Sequence, residues 1–332
     1  MEVYLFVAYK SLYKSSNTEV SAGTLKTLAT TLVGTIKEIN AFTKGGEGNR
    51  TFCFLHKDKD RLLALGETTP YLINKKSLEM VPIVVNSSSG ASGSKSAALW
   101  KDCIICASPG SLEKLSPFDG NNIVESTYTF KTGVKVNIKS EGDNMQNSLE
   151  VLEDKVYLVS TGLKLVIMNL IPPYEEETFM EETEFEDVCV FGKKAVGLTK
   201  SGAIMYVDKA TKISQLPVGG SEVYTHVKNA LDNIIVAKFD SQTSVSTLLL
   251  LDRKLRVRFQ VPLNTSTSHI RTIVVSRTKS GYRIAWILQR QSHLDIVLIA
   301  NNRMAVLTER PPLTQTMNFA IASSLLTNQT QP

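Results

Sequence analysis

Hydrophobic residues recur along the chain in short runs of about five to eight residues, and polar clusters separate the runs. The runs are rich in Val, Ile, Leu, Tyr and Thr, whereas the clusters contain Gly, Asn, Asp, Ser and Pro. Two typical runs are KVYLVS at 155–160 and TLLLLD at 247–252. Such runs are typical of β-strands connected by turns, because amphipathic helices need longer periodic segments. The pattern predicts an all-β protein with almost no helix.

One compound pattern occurs seven times along the chain. It consists of an apolar strand, a polar turn, a second apolar strand that closes on Asp or Asn, and a further strand. The closing residues are Asn17, Asn74, Asp119, Asn169, Asp208, Asp252 and Asn301. They recur about every 45 residues, which is a period typical of repeat architectures. A short Asp or Asn side chain suits this place because it can accept hydrogen bonds from the backbone of the following turn.

The repeat resembles that of a known fold family. A four-stranded unit of this size cannot bury both faces alone, whereas sheets arranged radially cover one another. In its spacing and its closing residue the repeat resembles that of WD-repeat β-propellers, although no Trp-Asp or Gly-His pair marks it. The resemblance implies a single seven-bladed β-propeller of four-stranded antiparallel blades, closed by pairing of the first strand with the region 317–323. Tandem β-sandwiches are the alternative, because they also consist of short strands.

These repeats predict the domain organisation. The chain of 332 residues is about twice an average domain, but closed β architectures often exceed that average as one unit. We expect one propeller domain over residues 1–325 and a polar tail over 326–332. The expected blades are 1–45, 46–98, 99–145, 146–188, 189–228, 229–268 and 269–325.

Composition and targeting signals restrict the compartment. Four cysteines are too few for a disulfide scaffold. The segment 1–9 lacks the basic start and the cleavage site of a secretory signal, and no apolar run approaches the roughly 18 residues of a membrane span. We therefore expect a soluble intracellular protein without a membrane span. The basic character of the C-terminal third favours the nucleus or nucleolus over the cytoplasm.

The sequence shows no recognisable catalytic motif. Gly45–Gly48 is not followed by the Lys-Ser/Thr pair of a phosphate-binding loop. Cys103 and Cys106 would project from opposite faces of a strand and have no further metal ligands nearby. The four histidines lie in four separate repeats, and Val, Ile, Leu and Ala fill the first-strand positions where enzymatic propellers carry carboxylates or His. We therefore expect no enzyme, no metal, no cofactor and no small-molecule substrate.

An acidic segment lies between Glu175 and Asp187. It contains eight acids and no Lys or Arg. One interpretation is a solvated loop between blades. The other is an acidic-aromatic loop that binds a basic partner surface through Glu176, Glu177, Phe179, Glu181, Glu182 and Phe185.

The charge reverses between Asp252 and Arg310. Eleven Lys and Arg residues face three acids there, although the whole chain carries only +5. Lys254, Arg256 and Arg258 alternate with apolar residues, which predicts a strand with three cations on one side. These cations either form a solvated wall on the outermost strand of a blade, or bind RNA phosphates or an acidic protein segment.

These patterns favour a non-catalytic scaffold that binds other protein subunits in a larger assembly. The basic C-terminal third favours a nuclear complex in ribosome biogenesis. Direct RNA binding through Lys254, Arg256 and Arg258 is one alternative. A subunit of a coat or membrane-tethering complex is another, and an enzyme or ligand-binding propeller with its site in the central channel is a third.

Overall fold

The fold is known from a computed structural model. It describes residues 2–7, 11–16, 35–41, 53–56, 61–65, 71–74, 80–82, 84–85, 96–101, 103–108, 111–115, 121–122, 124–129, 149–160, 162–208, 213–266, 270–277, 283–289, 294–306 and 319–323. All regular elements in these residues are β-strands, so no described segment is a helix able to cross a membrane. The chain forms two compact units, one of residues 1–49 and 214–332 and one of residues 50–213.

The first sheet joins both ends of the described chain. It contains β1 (Glu2–Val7), β2 (Ser11–Ser16), β3 (Thr35–Ala41) and a C-terminal strand, Phe319–Ser323, in which Val3 lies opposite Ser323. The C-terminal strand is antiparallel to β1 and forms an edge of this sheet. The predicted pairing of the first strand with the region 317–323 is confirmed.

The unit of residues 50–213 contains the sheets that follow along the chain. Within this unit, one sheet has β4 (Cys53–His56), β5 (Arg61–Leu65), β6 (Tyr71–Asn74) and β7 (Met80–Pro82). The second has β9 (Ser96–Trp100), β10 (Cys103–Ser108), β11 (Ser111–Leu115) and β13 (Val124–Thr129). The short strands β8 (Val84–Val85) and β12 (Asn121–Asn122) pair in parallel.

Two further sheets follow. The third has β14 (Leu149–Leu152), β15 (Lys155–Val159), β16 (Leu165–Asn169) and β17 (Glu176–Phe179). The fourth has β18 (Phe185–Phe191), β19 (Lys194–Thr199) and β20 (Ala203–Tyr206), and β21 (Ser214–Gln215) comes next along the chain.

The other unit contains two more sheets besides the first one. One consists of β22 (Glu222–Asn229), β23 (Ile234–Asp240), β24 (Val245–Leu251) and β25 (Val257–Ser266). The next consists of β26 (Ile270–Arg277), β27 (Arg283–Gln289), β28 (Leu294–Ala300) and β29 (Arg303–Val306). The strand Phe319–Ser323 is therefore β30.

The predicted fold class is confirmed, because the described chain is all-β and contains seven four-stranded sheets with antiparallel pairing. The number of blades, their bounds and the single-domain organisation stay predictions. The polar tail at 326–332 lies outside the described residues.

Apolar side chains cover both faces of the sheet β14–β17. Val156, Leu158, Val166 and Met168 pack against one cluster that includes Trp100. The alternate residues Tyr157, Val159, Leu165 and Ile167 belong to a second cluster that includes Phe185 and Val188 of β18. Inner strands buried on both faces read as continuous apolar runs, which explains why sequences such as LVIM show little polar alternation.

The closing Asp and Asn residues stand at the third strand of their sheets, because a strand that the repeat pattern did not count precedes the two that it recognised. Asn74 and Asn169 end the third strand of their sheets, and Asp208, Asp252 and Asn301 follow a third strand within two residues. Asn17 and Asp119 lie outside the described residues. The predicted capping is present at Asp252, where Oδ1 accepts hydrogen bonds from the N–H of Lys254 and Arg256.

Candidate functional site

The basic strand predicted from sequence is β25, the last strand in the order β22-β23-β24-β25. Arg256 and Arg258 are exposed, whereas Val257 and Phe259 between and after them are half-buried. Phe259 packs against the apolar cluster of its unit. The alternation seen in the sequence therefore places the apolar side against the core and the cationic side in solvent. Lys254 and Arg256 both precede the strand, which begins at Val257, so only Arg258 of the three predicted cations lies within β25.

The turn between β24 and β25 is tightly bonded. The Asp252 N–H donates to the carbonyl of Arg256 (3.0 Å), and the Leu255 N–H donates to the carbonyl of Asp252 (2.9 Å). Asp252 Oδ1 accepts from the N–H groups of Lys254 (2.8 Å) and Arg256 (3.0 Å). Leu255 has a φ of 59° and is buried, so an apolar anchor fixes the centre of the turn. These hydrogen bonds fix the backbone position of Arg256 at the end of the turn.

The second carboxylate oxygen of Asp252 binds both arginines. Oδ2 accepts from Arg256 Nε (3.1 Å) and Nη2 (2.9 Å), and from Arg258 Nε (2.8 Å) and Nη2 (2.6 Å). The Asp252 side chain is only 17% exposed, against 56% for Arg256 and 42% for Arg258. The carboxylate therefore lies beneath two guanidinium groups that face solvent. We call Arg256 and Arg258 the arginine pair.

The charge state of Asp252 follows from these contacts. Burial alone would raise its pKa, but the Arg256 N–H, the two guanidinium groups and the Lys254 N–H outweigh it and lower the pKa to about 2. Asp252 is thus ionised at any physiological pH. It is a functional candidate that charge counting missed, although an Asp followed by Arg at the fourth and sixth positions is visible in the sequence.

Other charges lie at the same end of these sheets. The exposed Arg253 pairs with the exposed Asp232 at 3.1 Å. Asn233 donates from Nδ2 to the carbonyl of Leu251, next to Asp252, and to Oδ1 of Asn302, which precedes the exposed Arg303. Within the part of the chain that the structure describes, no acid pairs with the Lys254 ammonium.

Not every cation of the basic third is on the surface. Arg283 is 8% exposed, and its Nη1 donates to the carbonyl of Ala230 (2.9 Å) and to Oδ1 of Asn233 (2.7 Å). It connects β27 to the turn between β22 and β23. Lys279, Arg290 and Arg310 lie outside the described residues. Because Arg283 is buried, fewer than the eleven cations counted in the sequence are available to a partner.

The acidic segment is not the continuous loop that was predicted, because Glu176–Phe179 is strand β17 and β18 begins at Phe185. Glu177, Glu181 and Glu182 are exposed, and Glu176 is half-buried. Phe179 is half-buried and packs against the core, with its ring centroid 6.1 Å from that of Phe185.

Phe185 is fully buried, so its assignment to a partner-binding surface is wrong. Its ring fills the space above Gly197 in the neighbouring strand β19, where an added Cβ would lie 2.7 Å from Phe185 Cε1. A side chain in that position supports the sheet and cannot reach a partner. The other predicted contacts for a basic partner stay predictions; they are Glu176, Glu177, Phe179, Glu181 and Glu182.

The first strands of two sheets each carry a buried polar residue. Asp187 on β18 and His226 on β22 are each 1% exposed. Each follows a β-bulge, between Phe185 and Asp187 in one sheet and between Tyr224 and His226 in the other. Bulges redirect side chains and occur often beside active sites. Both residues lie on strands that precede β19 and β23, the strands that the sequence pattern counted as first, so the prediction that Val, Ile, Leu and Ala fill the first-strand positions did not cover them.

Comparisons by sequence leave the family open. No family model matches the chain. The curated proteins also contain no match.

Comparisons by structure identify the fold. A candidate 6-phosphogluconolactonase from Bacteroides uniformis has a TM-score of 0.62 and 10% identity, covering 97% of this chain and 99% of its own. BBS1N in complex with ARL6 has a TM-score of 0.54 and 8% identity, covering 81% and 83%. The WD40 β-propeller domain of Doa1 has a TM-score of 0.53 and 12% identity, covering 79% and 83%. The predicted resemblance to WD-repeat propellers is confirmed at the level of the fold.

The prediction that the chain is not an enzyme is wrong as an inference from its sequence. The fold also occurs in a candidate 6-phosphogluconolactonase. At 10% identity the likeness concerns the fold and assigns no reaction to this chain.

Proposed function

We propose that this chain is a protein-interaction module that binds an acidic segment of a partner protein on the outer side of β25. Lys254, Arg256 and Arg258 would make the contacts. The observation that carries the proposal is the arginine pair, held in one arrangement by Asp252 where the edge strand β25 begins. Side chains that are already ordered lose less conformational entropy when a partner binds.

The fold supports this use. Among similar structures, BBS1N was determined in complex with ARL6, so a chain of related fold binds a protein partner. An acidic segment fits the local charge, because the cations Arg253, Lys254, Arg256 and Arg258 outnumber the acids Asp232 and Asp252. Complementary charge accelerates association and excludes partners of the wrong sign.

Within this proposal, the module belongs to a multi-subunit assembly. A nuclear complex of ribosome biogenesis is the assembly that the basic third favours, and a coat or membrane-tethering complex is the alternative. RNA is the competing ligand for the same cations. A protein segment is favoured because Phe259, the aromatic residue of β25, packs on the core and does not offer its ring to a base.

The test measures binding of a fluorescent Asp/Glu-rich peptide and of single-stranded RNA of equal length to the full chain. The variant K254E/R256E/R258E should weaken peptide binding by at least about tenfold, because three favourable charges become repulsive. The control K155E/K193E/K200E changes the net charge equally, at exposed lysines of the other unit.

The control variant should bind the peptide nearly as well as the unmodified chain. Equal losses in both variants would mean that only the overall charge matters, and the proposal would be wrong. Tight RNA binding that the first variant alone abolishes, without peptide binding, would replace the protein segment by RNA. Thermal unfolding of each variant verifies that the fold is intact.

A further inference from the structure

The arginine pair leaves one edge of each guanidinium group unused. Asp252 Oδ2 takes the Nε and Nη2 donors of both Arg256 and Arg258. The Nη1 groups, with the remaining Nη2 hydrogens, have no partner among the residues that the structure describes. An arginine binds carboxylates and phosphates best through two parallel hydrogen bonds from one such edge. Two such edges, on neighbouring exposed arginines, can donate hydrogen bonds to one ligand that has several acceptor oxygens.

The charge of this place matches a dianion better than a single carboxylate. Two arginines and Lys254 give three positive charges, and Asp252 removes one. A phosphomonoester carries about −1.5 to −2 at pH 7 and offers three acceptor oxygens. A Glu or Asp side chain offers two oxygens and one negative charge. The surface is also open, since both guanidinium groups are about half exposed.

We propose that this surface selects a phosphorylated protein segment, with the phosphomonoester of a phosphoserine or phosphothreonine bound by Arg256, Arg258 and Lys254. Asp252 is the positioning residue that orients the arginine pair. This inference rests on the proposed function and names the partner of the same surface.

If Asp252 positions the arginine pair, removing its charge should change anion binding in the direction opposite to that expected from charge alone. A negative charge beside an anion site should weaken binding, so its removal should strengthen it. If orientation of the arginines dominates, removal of the charge weakens binding instead, because both side chains must then be ordered by the ligand. The replacement Asp252→Asn keeps an oxygen that can accept from the N–H groups of Lys254 and Arg256, so the turn keeps its bonds.

The experiment uses the full chain and three acidic peptides that differ at one position, which holds Ser, phosphoserine or Glu. The unmodified chain should bind the phosphoserine peptide about tenfold more tightly than the Glu peptide. D252N should lose most of that preference, and R256K/R258K should lose it as well, because lysine keeps the charge without the planar edge. The control D232N removes an exposed acid of the same surface. It should bind each of the three peptides as tightly as the unmodified chain does, or slightly more tightly.

A pH series adds a second measurement. The second pKa of a phosphomonoester is about 6, so affinity for the phosphoserine peptide should fall between pH 7.5 and 5.5. The Glu peptide should show no such change, because carboxylates stay ionised in this range. Asp252 also stays ionised, since its pKa is about 2.

The outcomes separate the two proposals. Equal binding of the phosphoserine and Glu peptides, or tighter binding of the phosphoserine peptide by D252N, would overturn the phosphate inference and leave the acidic-segment proposal intact. Absence of binding of all three peptides would overturn both. Inhibition of phosphoserine-peptide binding by millimolar inorganic phosphate in the unmodified chain, and much weaker inhibition in R256K/R258K, would support the phosphate site.

Discussion

The strands β17 and β25 are both the last strand of a four-stranded sheet, and the sequence marks both by their charge. At the start of β25 the cations Arg256 and Arg258 alternate with Val257 and Phe259, and the structure exposes the cations and turns the apolar side chains towards the core. In the acidic segment the charges come in clusters, and its aromatic residues pack inwards against the core. Strict alternation therefore predicts which side chains are exposed, whereas a charge cluster does not. Five changes test this comparison.

The largest effect is expected at the buried end of the acidic segment. Phe185→Ala should lower the free energy of unfolding by about 3–5 kcal/mol, because it removes a fully buried ring. Met180→Ala, at an exposed position of the same segment, is the control and should cost much less. Urea unfolding followed by tryptophan fluorescence measures both. Similar small costs would mean that Phe185 is not part of the core.

The basic C-terminal third also contains a buried residue, Arg283, which corresponds to Phe185 in the acidic segment. Arg283→Met should lower the free energy of unfolding by about 2–4 kcal/mol, because the Ala230 carbonyl and Asn233 Oδ1 lose a charged donor. Arg256→Met should cost less than about 1 kcal/mol, since Arg256 is exposed. The same urea titration applies. Loss of peptide binding in a folded Arg283→Met protein would contradict the separation of buried from exposed cations.

The contact between Phe185 and Gly197 is expected to be sterically tight. Gly197→Ala should cost about 1–3 kcal/mol, because the new Cβ would lie 2.7 Å from Phe185 Cε1. In a Phe185→Leu background the same change should cost less, since leucine has no atom at the Cε1 position. A double-mutant cycle measures this coupling. Additive costs would exclude a direct clash.

Acid should release the arginine pair from Asp252. The folded pKa of about 2 is below the usual value near 4, so the stability from these contacts is complete above about pH 4 and is lost as the pH falls towards 2. Between pH 5 and 7 Asp252 should contribute no pH dependence. In R256M/R258M the pKa should rise towards its ordinary value, which a carboxyl NMR titration detects. An unchanged midpoint would mean that backbone hydrogen bonds alone lower it.

The smallest effect is expected at the exposed acids. Glu184 and Lys200 form an ion pair at 3.3 Å, with both side chains more than half exposed. Glu184→Gln should change the free energy of unfolding by less than about 0.5 kcal/mol. Lys200→Met should behave alike in the same urea titration. A loss above about 1.5 kcal/mol would show that surface charge, rather than Phe185, holds this segment.

The fold was largely predictable because its signals are local. Short apolar runs, turn residues and the closing Asp or Asn depend on neighbours within a few positions, and they gave the strands, the four-stranded sheets and the capping at Asp252. The pairing of β1 with β30 is distant in sequence, but it followed from the resemblance to a closed architecture.

The exposure of particular residues was less predictable, because it depends on distant partners. Phe185 is buried since the opposite strand offers a glycine at Gly197. Arg283 is buried since acceptors fifty or more residues earlier receive its donors. The convergence of Arg256 and Arg258 on Asp252 depends on the positive φ of Leu255, which sequence composition does not specify.

The pairing of β1 with β30 also determines when the first sheet can be finished. During synthesis β1, β2 and β3 leave the ribosome early, but the edge of β1 can pair with β30 only after residues 319–323 have been made. Until then that edge exposes unpaired backbone N–H and C=O groups, which can recruit a strand from another polypeptide. A nascent chain halted before residue 319 would thus be prone to misassembly.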